Sequence, residues 1–154
     1  MVVSIRRAGV EDVDLLFDIR TSVEQNAQTR EELAARGITP DAVAVLLQTS
    51  CRAWIAECDG KPAGFAMANA DEGCIFGLFV RPDFEGGGIG RRLMAEAEAF
   101  LFRDHDSVWL TTKLGEHLRA HGFYRKLGWI PAGVAETAGE LRYEKTREFG
   151  SQSE

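Results

Sequence analysis

The run "FVRPDFEGGGIGRRL", at positions 79–93, constrains the fold of this chain more than any other stretch. An apolar segment ends at a proline, four glycines follow close together, and a basic amphipathic segment begins at once. Each glycine costs conformational entropy on folding, so the cluster indicates a structural or functional need. Either the backbone turns sharply here, or another molecule comes close to it.

This glycine loop follows an apolar run, 74–80, whose lack of alternation predicts a central strand covered on both faces. A strand, a glycine loop and a helix in that order can hold a phosphate through unpaired backbone N–H groups and the helix dipole. The residues of this loop match neither of two known phosphate-binding motifs. A Walker loop needs Lys followed by Ser or Thr after its last glycine, and the dinucleotide motif needs glycine where Arg91 or Leu93 stands.

The rest of the chain is predicted to form strands and helices in the order βααβββαβαββ. A β-branched strand at 2–8 precedes two helices, at 9–23 and 39–50, which a polar stretch separates. The pair Asp59-Gly60 predicts a tight hairpin turn, because such turns require positive φ. The order is that of an α/β domain.

A length of 154 residues suits one domain, and no linker, repeat or low-complexity segment divides it. We therefore predict a single domain over 1–148 and a frayed tail at 149–154. The apolar runs are far shorter than the roughly 20 residues that a membrane helix needs. The N-terminus also lacks the order of charges and apolar residues found in signal peptides, so a cytoplasmic protein is predicted.

The net charge and the positions of Cys and His limit which partners and metals the protein could bind. A net charge of −6 and a pI near 5.2 argue against affinity for nucleic acid or anionic membranes. The acidity suits a cationic partner, although the need for solubility accounts for it as well. The three cysteines lack disulfide or zinc spacing, and His117 and His121 lack the Glu between them that a metalloprotease motif requires. No metal is predicted.

A third pattern does fit the glycine loop. A strand ending in V-x-P is followed by Q/R-x-x-G-x-G/A and a helix, and this chain has "VRP" at 80–82 and "EGGGIG" at 85–90. A second segment, "HGFYRKLGW" at 121–129, is similar to the pattern A-x-x-F-Y-x-x-x-G-F/W. On these two motifs, and on the predicted elements between them, the chain resembles the GNAT superfamily of acetyl-CoA-dependent N-acetyltransferases.

The resemblance implies both a fold and a reaction. The implied fold is a mixed, mostly antiparallel central sheet with helices on both faces. The implied reaction transfers the acetyl group of acetyl-CoA directly to a primary amine of a small molecule, peptide or protein, with no metal and no role for nucleic acid or membrane. A homodimer is also implied, since dimers are common in the superfamily.

The resemblance further implies which residues hold acetyl-CoA: the strand backbone would pair with the pantetheine arm, and the loop would cradle the pyrophosphate. The implied cofactor residues are Leu78, Phe79, Val80, Glu85, Gly86, Gly87, Gly88, Ile89, Gly90, Arg91, Arg92, Arg119 and Tyr124. Glu85 departs from the motif, which usually has Gln or Arg there. Because a carboxylate repels a pyrophosphate, Glu85 is predicted to point away from it.

Two residues are implied catalysts. Tyr124 matches the tyrosine that often protonates the departing thiolate in this superfamily, against the alternative of a core residue whose hydroxyl bonds backbone. Glu72, just before the fourth strand, is the candidate base, against the alternative of an exposed turn carboxylate, and Asp71 and Glu57 are other candidates. Some relatives use water instead, so a missing base would not exclude activity. Gly77 is either a bulge that opens a wedge beside its strand or a small residue that accommodates an aromatic neighbour.

Three functional hypotheses stay open at this point. The first is an N-acetyltransferase, the second a non-catalytic acyl-CoA-binding or sensor domain, and the third a structural protein whose glycine loop binds nothing. The acceptor would be selected by segments 21–40 and 131–140, which carry no recognisable motif. Four side chains there are candidates to attract an amine: Glu24, Asn26, Glu31 and Glu32.

Overall fold

The fold is described from a computed structural model, over residues 2–24, 27–113, 119–135 and 139–147. The predicted tail, His117 and Asn26 lie outside these ranges.

Seven strands form one sheet in the order β1-β2-β3-β4-β5-β7-β6, and every neighbouring pair is antiparallel except β4 and β5. The strands are β1 Val3–Arg7, β2 Cys51–Cys58, β3 Lys61–Asn69, β4 Cys74–Val80, β5 Ser107–Lys113, β6 Ile130–Val134 and β7 Glu140–Thr146. The predicted mixed, mostly antiparallel sheet is confirmed.

Five α-helices and two short 3-10 turns connect the strands within the described part of the chain. The helices are α1 Val13–Arg20, α2 Arg30–Ala35, α3 Pro40–Gln48, α4 Ile89–Leu101 and α5 Arg119–Lys126, and the turns are Val10–Asp12 and Pro82–Phe84. Three helices therefore separate β1 from β2, where the sequence predicts two. The extra one, α2, lies in the stretch predicted to be a polar separator.

Helix α2 forms because its first turn is capped reciprocally. The Thr29 hydroxyl accepts from the Glu32 backbone N–H at 3.1 Å, and the Glu32 carboxylate accepts from the Thr29 N–H at 3.0 Å. Leu33 anchors the helix, with 1% of its surface exposed. One buried side chain in a polar run leaves no periodic apolar pattern, which is why the sequence did not indicate this helix.

The sheet separates two hydrophobic layers. Helix α4 packs Leu93 and Met94 against one face. Phe17 of α1, Leu33 of α2 and Val43 of α3 pack on the other. Helices thus cover both faces, which explains the unbroken apolar run of β4. The hairpin between β2 and β3 also has the predicted geometry, with positive φ at Asp59 and Gly60.

Strands β4 and β5 separate almost as soon as they meet. Their parallel pairing consists of Cys74 opposite Trp109, whereas β4 stays paired with β3 as far as Gly64 opposite Val80. One edge of β4 is therefore open along most of its length. The register with β3 shifts at Phe76, one residue before the glycine predicted as a bulge.

The surroundings of Gly77 also support the second interpretation, that a small residue here makes room for an aromatic neighbour. A Cβ there would lie 3.2 Å from Cε2 of Phe79 and 3.5 Å from Cε1 of Phe65, so its lack of a side chain accommodates two aromatic rings. The bulge and the small residue are thus adjacent and both contribute to the shape of the open edge.

Candidate functional site

A cleft of about 1130 Å³ occupies the gap where β4 leaves β5. It is lined by β4 from Ile75 to Val80, the glycine loop, the start of α4, the end of β5 and helix α5. It continues to the other side of the sheet, where α1, α2 and α3 contribute the walls. The cleft therefore crosses the sheet from one helical layer to the other.

The glycine loop forms the end of the cleft beside α4. Gly86 and Gly88 have φ of +86° and +79°, a conformation that side chains disfavour, and Gly88 is the N-cap of α4. The first helical hydrogen bond within this turn runs from Arg92 N to Gly88 O at 3.1 Å. The backbone N–H groups in the first turn of α4 have no partner within the helix. Because Gly88 has no side chain, it cannot accept a hydrogen bond from them. They are available to an external anion.

The charges at the start of α4 also favour the binding of an anion. The first turn contains no acidic residue but has Arg91, which lines the cleft, and Arg92. Cations at a helix N-terminus oppose the helix dipole, so the position of Arg91 fits an external anion rather than helix stability.

Most of the predicted site residues meet in this one cleft. They are Leu78, Phe79, Val80, Glu85, Gly86, Gly88, Ile89, Gly90, Arg91, Arg119 and Tyr124. Gly87, Arg92 and Glu72 are not among its lining residues. The Arg92 guanidinium instead donates to the backbone oxygen of Val3 at 3.0 Å, which ties α4 to the edge strand β1.

Glu72 is held in the turn before β4. Its carboxylate accepts from Asn69 Nδ2 at 3.3 Å, and its backbone N–H donates to Asn69 Oδ1 at 3.1 Å. Its backbone oxygen accepts from the Trp109 indole at 3.1 Å. The structure therefore gives this carboxylate a role in the turn and places it outside the cleft walls.

Glu85 faces a cation instead of the loop backbone. Its Oε1 accepts from Nη1 of Arg119 at 2.6 Å, in an ion pair that joins the glycine loop to the start of α5. Both side chains are about half exposed. The negative charge of Glu85 is thus neutralised by Arg119, which is itself a candidate residue for binding the cofactor.

Tyr124 lies on α5 at the inner wall of the cleft. It is 8% exposed and packs edge-on against Phe123 and Trp129. Burial, together with the nearby Tyr143, raises the pKa of Tyr124 to about 12, so its phenol stays protonated at neutral pH. Within the described ranges no hydrogen bond to its hydroxyl is formed.

Tyr143, the buried neighbour of Tyr124, has a different environment. His121 Nε2 lies 2.9 Å from the Lys113 backbone oxygen, an acceptor, so that nitrogen carries the proton. In the neutral ring Nδ1 then accepts from the Tyr143 hydroxyl at 3.0 Å, and Arg125 Nε donates to the same hydroxyl at 3.4 Å. The hydroxyl of Tyr143 is therefore already engaged.

Sequence reasoning missed the charged residues on the far side of the cleft. Arg20 and Arg36 line it there, although neither was a candidate. Arg20 did have a signal, because it continues the helical stripe of Val13, Leu16 and Phe17 at an apolar position. Arg36 follows a helix that the sequence did not indicate, so no signal existed for it.

The cleft is basic although the protein is acidic. Over the described residues its lining contains six cationic side chains: Arg20, Arg36, Arg91, Lys113, Arg119 and Lys126. It contains two carboxylates, Glu85 and Glu140. The net charge of −6 belongs to the whole chain, whereas the described lining of the cleft has more cations than carboxylates and suits anionic ligands.

The sheet opens between two parallel strands beside a glycine-capped helix and a basic cleft, and this arrangement fits the acyl-CoA site that the family resemblance implies. The family model described as Acetyltransferase (GNAT) family matches residues 14–129. The chain is 30% identical over 139 residues to the peptidyl-lysine N-acetyltransferase YjaB of Salmonella typhimurium, covering 88% of this chain and 89% of the relative. It is 30% identical over 146 residues to YjaB of Escherichia coli, with 88% of each chain covered.

A solved structure shares the fold at lower identity. The PaiA N-acetyltransferase of Thermoplasma acidophilum, in complex with coenzyme A, superposes with a TM-score of 0.79 at 18% identity, over 96% of this chain and 100% of that one. The chain belongs to the acetyltransferase (GNAT) family. It is an N-acetyltransferase, and the comparisons favour this catalytic class over a non-catalytic acyl-CoA-binding domain.

Among the described residues, no helix is both long and apolar enough to cross a membrane. The same part of the chain contains no group of three or more His, Cys, Asp or Glu side chains placed to hold a metal ion. Cys51, Cys58 and Cys74 are buried and unpaired by disulfides.

Proposed function

We propose that this N-acetyltransferase transfers the acetyl group of acetyl-CoA to the ε-amine of lysine in peptides or proteins. The observation that carries the proposal is the open edge of β4, which runs directly into the uncapped start of α4 within one basic cleft. The acceptor is suggested by the two relatives named for peptidyl-lysine acetylation.

The residues present fit acetyl-CoA at both of its ends. Backbone groups of Leu78 to Val80 on the side of β4 that β5 leaves open would pair with the amides of the pantetheine arm, as an added strand does. The bare amides from Gly86 to Arg91, with the Arg91 guanidinium, would hold the pyrophosphate. Bound there, acetyl-CoA supplies the activated thioester.

Tyr124 is proposed to be the general acid. Its protonated phenol lines the cleft and is free of hydrogen bonds from the rest of the described protein, so it can donate to a departing thiolate. Placed in a buried wall, it would donate in a medium where hydrogen bonds are strong.

The amine is proposed to lose its proton to water. A lysine ammonium has a pKa near 10.4 and must be neutral to attack. Glu72 lies outside the cleft walls, and Glu85, one of the two lining carboxylates in the described ranges, is paired with Arg119. Water in an open cleft can accept the proton without a dedicated side chain.

The acceptor is tested with lysine-containing peptides whose α-amines are blocked, by following CoA release and locating the acetyl group by mass spectrometry. Acetyl-lysine in the product supports the proposal, with the same peptide carrying Gln for Lys as the control. Acetylation of small amines but of no peptide lysine would limit the acceptor class to small molecules.

Location and assembly remain predictions. The sequence favours a cytoplasmic protein, and the family resemblance favours a homodimer. Light scattering on the purified protein tests the assembly, and a mass of 17.0 kDa in solution would exclude the dimer.

Glu85→Gln is expected to tighten acetyl-CoA binding by about threefold at low salt, and by less at high salt, because it removes a negative charge beside the phosphate cradle. Calorimetry measures the change. Asp83→Asn is the matched control: it removes a charge from the same loop at an exposed residue outside the cleft lining. Weaker binding by Glu85→Gln would instead assign the ion pair to positioning the loop.

A further inference from the structure

Phe76 is an exposed aromatic residue within the cleft. Its side chain is 44% exposed, and it lines the cleft together with its neighbours Ile75 and Gly77. An apolar side chain that is exposed singly on an outer surface needs no explanation. Phe76 is a different case, because it adds apolar surface to the cleft that is proposed to hold acetyl-CoA.

A β-bulge places Phe76 in this position. Met67 of β3 lies opposite Gly77, and Ala68 lies opposite Ile75, so Phe76 is the extra residue of β4. Bulges beside active sites often turn a side chain in a new direction. The extra residue of the strand is thus the one whose aromatic ring is exposed in the cleft.

Phe76 also lies at the closed end of the gap between β4 and β5. The two strands pair at Cys74 and Trp109, two residues before Phe76, and then separate. Tyr143 is paired with the next residue of β5, and its ring lies 5.6 Å from the ring of Tyr124. Phe76 and the proposed acid therefore lie at the same end of the gap.

The proposed path of acetyl-CoA places the reacting atoms at this end as well. The backbone of Leu78 to Val80 is proposed to pair with the pantetheine arm, and the pyrophosphate to lie beyond it at the start of α4. The thioester, at the other end of the arm, would then lie towards Phe76, where Tyr124 can protonate the sulfur. The amine must reach the thioester, so the chain that carries the amine has to pass close to Phe76.

The half of the cleft beside the first three helices has a largely apolar lining. In the described residues, six buried side chains of that hydrophobic layer line the cleft: Leu16, Phe17, Leu33, Val43, Phe65 and Met67. The two cations of this half have contacts with the protein. The Cζ of Arg20 lies 4.3 Å from the centre of the Phe79 ring, and Nη1 of Arg36 donates to Gln28 Oε1 at 2.7 Å. Apolar surface is thus present for a hydrocarbon part of the acceptor.

We propose that Phe76 packs on the hydrocarbon stem of the acceptor and so selects amines that are carried on an unbranched apolar chain. For the lysine acceptor proposed above, on which this inference rests, the stem is the four-carbon side chain of lysine. Lysine commonly buries this stem against apolar surface while its nitrogen stays in polar surroundings. The amine would then meet the thioester with its stem held against the ring of Phe76.

The test uses peptides with blocked α-amines that carry lysine or ornithine at one position, because ornithine is shorter by one methylene. The ratio of kcat/KM between the lysine and ornithine peptides is expected to be about threefold larger in wild type than in Phe76→Ala, as expected for the burial of one methylene. Differences in reach or basicity that both enzymes share cancel in this comparison.

Two further substitutions at the same position separate apolar contact from folding. Phe76→Leu keeps apolar surface at the bulge and is expected to keep most of the ratio. Phe76→Thr removes that surface with a residue that suits a strand, so it carries the test if Phe76→Ala does not fold. Ile130→Ala is the matched control, because Ile130 is a 67% exposed apolar residue of a strand outside the described cleft lining, and its truncation should leave the ratio unchanged.

Calorimetry with acetyl-CoA distinguishes contact with the acceptor from contact with the cofactor. The affinity of Phe76→Ala for acetyl-CoA is expected to be close to that of wild type. A weaker affinity together with an unchanged ratio would assign Phe76 to the cofactor and overturn the proposal.

The two proposals fail in different ways. If small amines but no peptide lysine are acetylated, the lysine acceptor is wrong, and n-alkylamines of increasing length test Phe76 by the same ratio. Equal ratios in wild type and Phe76→Ala would overturn the role of Phe76, while acetylation of peptide lysine would stand.

Discussion

Replacement of Tyr124 by phenylalanine is expected to lower kcat by about 10²-fold or more, with little change in acetyl-CoA affinity. The change removes one hydroxyl from a side chain that is otherwise packed by rings, so the wall of the cleft keeps its shape. The thiolate would then leave without a proton donor. Steady-state kinetics on a validated amine, with calorimetry for acetyl-CoA, separates the two effects.

The pH profile provides a second readout of the same residue. Because the pKa of Tyr124 is raised to about 12, the donor proton stays bound throughout the neutral and mildly alkaline range. Activity is therefore expected to rise with pH as more of the amine becomes neutral, without a falling limb below about pH 10. A fall between pH 7 and about 9 that is absent from Tyr124→Phe would contradict this assignment of the proton.

Tyr143→Phe is the control for loss of a buried hydroxyl. Tyr143 is fully buried beside Tyr124, but its hydroxyl is bonded to His121 and Arg125. Its removal leaves Nδ1 of the partly buried His121 without its donor, whereas the exposed Arg125 can bind water. The variant should therefore lower the free energy of unfolding by about 1 kcal/mol and leave kcat closer to wild type. Equal kcat in Tyr124→Phe and wild type would show that Tyr124 is not the acid.

The sequence predicted the glycine loop better than any other part of the site, because the loop is proposed to bind through its backbone. A glycine cluster, a strand before it and a helix after it are all local features, and the backbone turns there through positive φ at Gly86 and Gly88. Tyr124 was found because it belongs to a motif with fixed spacing. Local pattern was sufficient in both cases, because the neighbours that matter are close in sequence.

Long-range contacts account for what the sequence could not indicate. The Glu85 partner is Arg119, a residue 34 positions away, and only the fold brings the two together. Glu72 was placed by its distance along the chain from β4, whereas its direction is set by Asn69 within the turn. Arg20 is polar in an apolar stripe, and its guanidinium stacks over the ring of Phe79, a residue 59 positions away that only the fold brings close.

Gly86→Ala is expected to raise the dissociation constant of acetyl-CoA by about tenfold. A Cβ at Gly86 meets no atom within 4 Å, so no clash occurs, but φ is +86° and an L-residue resists that conformation by about 1–2 kcal/mol. The loop would relax away from the conformation that presents its amides to the pyrophosphate. Calorimetry and thermal melting measure affinity and stability separately.

Gly60→Ala is a closely matched control for that substitution. Gly60 has φ of +82° and also has no atom within 4 Å of a built Cβ, but it lies in the hairpin between β2 and β3, outside the cleft lining. Both variants should lose similar stability, and only Gly86→Ala should lose acetyl-CoA affinity. Equal affinities in the two variants would mean that the loop glycines serve folding alone. A loss confined to Gly86→Ala would show that positive φ is kept at this position for the ligand, since the same strain elsewhere leaves binding intact.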